Sequence, residues 1–182
     1  ISEAIPRNTL QYGLSTAINS FLFVAKASVP HLPHEDYSCY IFRSKEIKFS
    51  QFDWSVDYQI LPYSPVALQG FMGRLYAFCE HVLYRLNPST LEVEDEFEGT
   101  GCFNRESVMV TEYGMCFADQ HNIYLHNGTA PTIISRPIAT SSNPFRHGWS
   151  NIDKTYIKVG FDGKRKSFLI FFSFTGISGG VN

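Results

Sequence analysis

The chain has 182 residues, a formal net charge of −2, and 44% hydrophobic and 15% aromatic residues. This is the composition of a folded globular chain rather than a disordered one, and its weakly acidic balance gives no electrostatic basis for wrapping nucleic acid. The apolar runs are far shorter than the roughly 20 residues that a membrane-spanning helix needs. We expect no signal peptide, and because residue 1 is an isoleucine we expect the numbered chain to begin inside a longer one.

The sequence predicts an all-β protein, because short apolar segments alternate with turn residues and no stretch keeps a helical period. Residues 1–19 are predicted to be a linker or a preceding segment. Strands are then predicted at 20–26, 37–43, 56–60, 65–70, 74–79, 82–86, 90–97, 107–111, 115–118, 122–126, 131–135, 155–161 and 167–174. Strands of this length and spacing are typical of antiparallel sandwiches, barrels and propellers.

An internal repeat favours the propeller among these folds. The segment from Val66 to Phe97 matches the segment from Glu106 to Ile138, and at an offset of 40 residues Tyr84 falls on Tyr124. Each segment predicts four antiparallel strands, and four strands on a period of about 40 residues are the pattern of a propeller blade. A weaker match upstream places Tyr40, Phe42 and Ile47 roughly where the segment from Val66 to Phe97 has Tyr76, Phe78 and Leu83.

We therefore predict antiparallel four-stranded blades that form an arc of a β-propeller. The blades are placed at about residues 20–64, 65–105, 106–150 and 151–182, and they are expected to be part of a longer propeller. The alternative architecture is a β-sandwich, because the same strand pattern also suits two packed antiparallel sheets.

A histidine-rich sequence, HLPHED, is the first candidate for chemistry along the chain. It groups His31, His34, Glu35 and Asp36, but Pro33 excludes the helix on which a His-Glu-x-x-His motif holds zinc. We interpret this segment as an exposed polar loop.

Two charged segments are also interpreted as solvated surface. The sequence EVEDEFE, residues 92–98, predicts an edge strand kept soluble by charge, with Val93 and Phe97 on its buried face. Its functional alternative is an acidic surface that faces a channel or a basic partner. The sequence DGKRKS places Lys164, Arg165 and Lys166 at a hairpin tip, where three positive charges on one turn are normally solvated.

No sequence pattern indicates an active site. The chain has no nucleophile elbow, phosphate loop or paired-carboxylate motif, so we expect no enzyme activity, no cofactor and no metal. The repeated His81 and His121 are interpreted as polar residues that close the turn between two strands of a blade. Asn127-Gly128 is predicted to form a type I′ turn.

The cysteines are expected to be reduced and structural. None of them belongs to a CxxC pair, and most lie among apolar neighbours on predicted strands, where a free thiol acts as a small hydrophobic group. The four are Cys39, Cys79, Cys102 and Cys116.

A long loop before the last hairpin is the best candidate for an interface with a partner. Its sequence, SSNPFRHGWSNID, combines turn dipeptides with aromatic and charged side chains, and loops that pass over a sheet edge often carry contacts. The candidate interface residues are Asn143, Phe145, Arg146, His147, Trp149 and Asp153.

Two segments, residues 65–86 and 99–138, resemble β-propeller proteins of bacteriophage tails, of the nozzle or hub type found in short-tailed virions. The resemblance covers roughly residues 20–175. It rests on a Gly-rich opening, a Ser-Val pair, an apolar-aromatic strand, a polar turn and an Ile-Tyr pair before an Asn-Gly turn. In this chain those features are Gly99 and Gly101, Ser107-Val108, Met115–Phe117, Asp119–Asn122, Ile123-Tyr124 and Asn127-Gly128.

The resemblance implies a structural, non-enzymatic component of the virion tail, assembled in the cytoplasm of a bacterial host. It implies a homo-oligomeric ring, often sixfold, that contacts other virion proteins such as an adaptor or a tail fibre and has no membrane partner. The genome is expected to pass through the ring without sequence-specific binding. The weakly acidic net charge of the chain is consistent with this expectation, because clustered Lys and Arg side chains would bind the phosphate groups of DNA. The alternative is a glycan-binding or sialidase-like propeller, although the Ser-x-Asp-x-Gly-x-Thr-Trp turn common in such blades is missing from the sequence.

Overall fold

The computed structural model describes residues 11–28, 36–119, 121–135 and 152–174. The described residues form two compact units, one within residues 1–99 and the other within residues 100–182. The first unit contains β1 (Gln11–Ile18), β2 (Phe21–Ser28), β3 (Tyr40–Lys45), β4 (Lys48–Phe52), β5 (Tyr58–Ile60), β6 (Ala67–Phe71), β7 (Arg74–Phe78), β8 (Val82–Leu86) and β9 (Val93–Glu98). The second contains a short 3-10 helix (Arg105–Ser107), β10 (Val108–Thr111), β11 (Gly114–Ala118), β12 (Ile123–His126), β13 (Pro131–Ile133), β14 (Ile152–Asp162) and β15 (Ser167–Phe174). The predicted all-β class is confirmed, and no helix in these ranges is long and apolar enough to cross a membrane.

The first unit begins with a five-stranded antiparallel sheet. Its strands follow the order β1-β2-β3-β4, and β5 pairs with β3 as well. Residues 11–18, which were predicted to belong to a linker or a preceding segment, form strand β1, and strand β4 was not predicted. Both strands are mostly exposed, since only Leu14 of β1 and only Phe52 of β4 are buried, and they therefore lack the apolar alternation by which a strand is recognised.

The second sheet of this unit has four antiparallel strands in the order β6-β7-β8-β9. Its first hairpin closes on Met72-Gly73, whose φ values of 47° and 74° are those of a type I′ turn. The sheet packs face to face against the first one around a shared apolar core. That core contains Leu14, Phe23, Ala25 and Ile41 from the first sheet and Leu68, Leu75, Ala77, Cys79, Val82, Tyr84 and Leu86 from the second.

The second unit pairs a four-stranded sheet, β10-β11-β12-β13, with the hairpin β14-β15. Their common core includes Cys116, Ile123, Ile157 and Val159. Asn104 fastens the 3-10 helix to this core. Its side-chain oxygen accepts hydrogen bonds from the first turn of the helix, and its Nδ2 donates to the carbonyls of Thr155 and Ile157 at 2.9 and 3.0 Å.

The sequence repeat is also a structural repeat. Ala77 pairs with Tyr84 between β7 and β8, and Phe117 pairs with Tyr124 between β11 and β12, so the register recurs at the same offset of 40 residues. The predicted antiparallel four-stranded sheets are confirmed for the two repeats, β6-β7-β8-β9 and β10-β11-β12-β13. Within the described residues the first sheet has five strands and the last has two. Face-to-face packing of such sheets suits both a propeller arc and a sandwich.

Two local predictions are wrong. Ile47 does not occupy the place of the buried Leu83, because it lies in the β3–β4 turn with φ of 61° and 75% of its surface exposed. Asn127-Gly128 does not form a type I′ turn, because only Gly128 has a positive φ and the connection spans residues 127–130. The Asn127 side chain instead accepts a hydrogen bond from the Thr129 hydroxyl at 2.7 Å.

Candidate functional site

The predicted interface loop lies almost wholly outside the described residues. This holds for five of the candidate residues, Asn143, Phe145, Arg146, His147 and Trp149. Asp153 is described, at the start of β14. Its Oδ1 accepts hydrogen bonds from the backbone N–H and the hydroxyl of Thr155 at 3.1 and 2.5 Å, so this carboxylate stabilises the start of its own strand.

The histidine-rich segment is likewise only partly described. His31, His34 and Glu35 lie outside the described residues. The carboxylate of Asp36 accepts a hydrogen bond from the backbone N–H of Ser38 at 2.9 Å, and this bond lowers the pKa of Asp36. In the ranges that the structure covers, no group of three or more His, Cys, Asp or Glu residues is placed to hold a metal ion.

The acidic segment is an edge strand, as predicted. Among the described strands, β9 pairs with β8 alone, at the end of its sheet, and two of its carboxylates pair with arginines of β7 and β8. The Arg74 guanidinium lies 2.6 Å from Glu94, and Arg85 pairs with Asp95. The prediction of a buried Val93 is wrong, because a register shift next to Leu86 leaves Val93 exposed.

The basic hairpin tip is exposed, as the sequence indicates. The carboxylate of Asp162 accepts backbone hydrogen bonds from Lys164 and Arg165 at 2.9 and 3.2 Å, which shapes the turn. The Lys166 ammonium lies 5.5 Å from the ring centre of Tyr113, at the distance of a cation–π contact. The tip thus contacts the β10–β11 turn of the same unit.

The repeated histidines lie in the turns that were predicted for them, and both are exposed. The two turns have the same backbone hydrogen bond, from Cys79 N–H to the Val82 carbonyl at 2.9 Å and from Asp119 N–H to the Asn122 carbonyl at 3.0 Å. A backbone hydrogen bond therefore closes each turn.

A buried network around Asp119 closes the turn of the second unit. This carboxylate is 3% exposed and accepts hydrogen bonds from the backbone N–H groups of His121 and Asn122 at 2.6 and 2.7 Å. It also accepts one from the Tyr124 hydroxyl at 2.9 Å. Burial, together with the hydrogen bond to Asp119, raises the pKa of Tyr124 to about 12, so the hydroxyl remains a donor. Ser135 extends the network by donating to the side-chain oxygen of Asn122 at 3.2 Å.

The first unit contains a second polar centre, which the sequence did not reveal. We call it the Arg43 cluster, formed by Arg43, Lys45, Asp53 and Asp57. The Asp57 carboxylate, in a residue that is 6% exposed, lies 2.6 Å from both Arg43 and Lys45, and Lys45 also lies 3.6 Å from Asp53. The same guanidinium donates to the carbonyls of Pro88 and Ser89 in the β8–β9 turn. The cluster thereby ties the first sheet to a turn of the second.

Electrostatics in the Arg43 cluster favours the charged forms. Burial raises the pKa of Asp57, but the hydrogen bonds and positive charges of Lys45 and Arg43 outweigh it, and the net effect is a lowered pKa. The hydrogen bond to Asp57 in turn raises the pKa of Lys45. Both groups stay ionised at neutral pH, so neither is suited to exchange a proton with a substrate.

The cysteines are free, and Cys79, Cys102 and Cys116 are buried. Burial raises the pKa of Cys79 and that of Cys116 to about 12. Because the thiolate is the nucleophile and the metal ligand, these two side chains act as packing groups, as predicted for structural thiols.

Comparisons with known proteins place the chain in no family. No protein-family model matches it, and no curated protein matches it. Among solved structures it is similar to the "AfRom2 CNH domain", at 9% sequence identity and a TM-score of 0.39, over 68% of this chain and 33% of that one. The chain thus spans about a third of the length of that structure, and a likeness at this level assigns no function.

Proposed function

We propose that the protein is a structural component of a bacteriophage tail, of the nozzle or hub type, and forms part of the conduit through which the genome leaves the virion. The observation that carries this proposal is the repeated four-stranded sheet together with the structural role of two buried carboxylates, one in each compact unit. Asp57 and Asp119 connect strands and turns, and both are almost inaccessible to solvent. A domain whose buried charges connect its own strands and turns suits a mechanical role better than catalysis.

The resemblance supplies the biological setting of the proposal. The Ser-Val pair and the Ile-Tyr pair that carry it belong to the second sheet repeat, and the Gly-rich opening, Gly99 and Gly101, comes just before that repeat. Assembly in the bacterial cytoplasm and incorporation into the virion tail follow from the same resemblance.

The acidic edge strand supports passage of the genome without binding. Strand β9 exposes Glu94, Glu96 and Glu98, and carboxylates repel phosphate groups. The two arginines next to it are already paired with Glu94 and Asp95. DNA that slides past such a surface meets few unpaired Lys or Arg side chains. Non-specific binding is driven by the counterions released when such side chains neutralise phosphates, and we therefore expect it to be weak here.

The outer face of the last hairpin supports a ring of identical subunits. Tyr156, Leu169 and Phe171 are exposed on β14 and β15, on the face opposite to the buried Ile157 and Val159. Exposed aromatic and aliphatic side chains on one sheet face are typical of a subunit contact. Contacts with an adaptor or a tail fibre are part of the same proposal.

The test is the mass of the full-length protein in solution, by light scattering at physiological salt, with and without double-stranded DNA. We expect a large closed oligomer with no measurable affinity for DNA. Phe171→Glu should reduce the mass toward that of the monomer, whereas Lys164→Glu at the exposed hairpin tip should not. A protein that stays monomeric at high concentration contradicts the proposal, and a glycan array would then test the glycan-binding alternative.

A further inference from the structure

A small cavity lies at the end of the first unit where the β7–β8 turn meets β2. Its volume is about 280 Å³, and its walls are Lys26, Tyr63, Ser64, Val66, Glu80 and His81. These residues come from three separate parts of the chain, namely β2, the connection between β5 and β6, and the β7–β8 turn. The cavity is independent of the Arg43 cluster and of the acidic edge strand. We call it the Lys26 pocket.

Lys26 enters the pocket from an unusual backbone conformation. Its φ is 51°, in the left-handed region, although it lies inside strand β2. Gly13 faces it on β1, where an added Cβ would lie 3.3 Å from the Cβ of Lys26. Non-glycine residues in this region are strained, and such strain is concentrated at functional sites. The ammonium forms no hydrogen bond or ion pair with any residue that the structure describes.

The other walls supply the opposite charge and an aromatic surface. Glu80 is exposed, and its carboxylate lies 3.9 Å from His81, at the limit of an ion pair. It forms no ion pair with Lys26, so the two charges line the same cavity while remaining separate. Tyr63 is 60% exposed, and its ring therefore remains available to a ligand.

We propose that the Lys26 pocket binds a small zwitterion that carries an acid group and an ammonium group. A ligand with one charge would be attracted by one wall and repelled by the other, whereas a zwitterion complements both. The acid group pairs with Lys26. The ammonium lies beside Glu80 and over the Tyr63 ring, an arrangement that combines ion pairing with a cation–π contact. This inference does not depend on the proposed tail function.

Calorimetric titration of the full chain with phosphocholine tests the site. Phosphocholine should bind at least about tenfold more tightly than choline or inorganic phosphate, because each of these carries only half of the complementary charge. Lys26→Gln and Glu80→Gln should each weaken the binding by about tenfold or more. Lys48→Gln and Glu46→Gln, which remove the same charges at exposed positions of the β3–β4 hairpin, should leave it unchanged.

The source of the zwitterion is distinguished with phosphatidylcholine vesicles. Sedimentation of the protein with the vesicles, lost in Lys26→Gln, assigns a lipid headgroup, and binding of phosphocholine without sedimentation assigns a free solute. The proposal is overturned if phosphocholine does not bind, if choline or phosphate alone binds equally well, or if the Lys48→Gln control weakens binding as much as Lys26→Gln.

Discussion

The guanidinium of Arg43 lies 2.6 Å from the carboxylate of Asp57, and it also donates to two carbonyls of the β8–β9 turn. The two residues are joined a second time by a backbone hydrogen bond of 2.9 Å from Arg43 N–H to the Asp57 carbonyl. A single side chain therefore connects strand β3, the segment before β5 and a turn of the neighbouring sheet. The stability of the first unit should depend on this pair more than on any exposed ion pair that the structure describes.

Arg43→Met should lower the free energy of unfolding by on the order of 3 kcal/mol, because it leaves Asp57 buried with only Lys45 as a charged partner. Urea denaturation at pH 7 measures this change. Arg74→Met is the matched control, since the Arg74 side chain is 43% exposed where it meets Glu94, and its loss should cost less than about 1 kcal/mol. Equal effects of the two substitutions would show that the Arg43 cluster has no special role.

Acid should destabilise the protein partly through Asp57. The pKa of this carboxyl is lower in the folded protein than its ordinary value of about 4, so the native state holds its proton less tightly than the unfolded chain does. Its contribution is complete above that ordinary value and is lost as the pH falls through the lower folded pKa. Unfolding free energies measured across this pH range should fall less steeply for Asp57→Asn than for the wild type. Parallel curves for the two proteins would contradict the assignment.

Asp119→Ala should destabilise the second unit by on the order of 2–3 kcal/mol, because it removes the buried acceptor of three hydrogen bonds. Tyr124→Phe removes only one of these bonds and should cost about 1 kcal/mol. Thermal unfolding of both variants measures the difference. If Tyr124→Phe were as damaging as Asp119→Ala, the backbone bonds of His121 and Asn122 to this carboxylate would contribute nothing.

Met72→Asn should stabilise the first unit by about 0.5–1 kcal/mol, because Asn adopts a positive φ more readily than Met does. Met72 has a φ of 47° and is 68% exposed, so the substitution removes little packing. The expected readout is a higher midpoint of thermal unfolding. Val56→Asn is the control, since Val56 is also exposed but does not have a positive φ. A gain of the same size at Val56 would attribute the effect to surface polarity instead of the turn.

The sequence was most informative where strands are buried on one or both faces. Strands β6–β8 and β10–β12 were predicted within two residues, because their apolar residues and flanking turn signals repeat at an offset of 40 residues. The edge position of β9 also followed from its charge. Strands β1 and β4 were not predicted, since an exposed strand is defined by its hydrogen bonds to a neighbour and needs no apolar pattern of its own.

The amino-acid sequence by itself determined the all-β class, the repeat, the turn positions of His81 and His121, and the structural character of the cysteines. These properties depend on local periodicity and turn chemistry, which are readable over a few residues. Only the tertiary structure decided that Arg43 meets both Asp57 and Ser89, that Asp119 accepts a hydrogen bond from Tyr124, and that Lys26 and Glu80 line one cavity. Such contacts join residues from separate strands and turns, and they exist only after the sheets have packed, because charge pairing acts over a few ångströms of space whatever the distance along the chain.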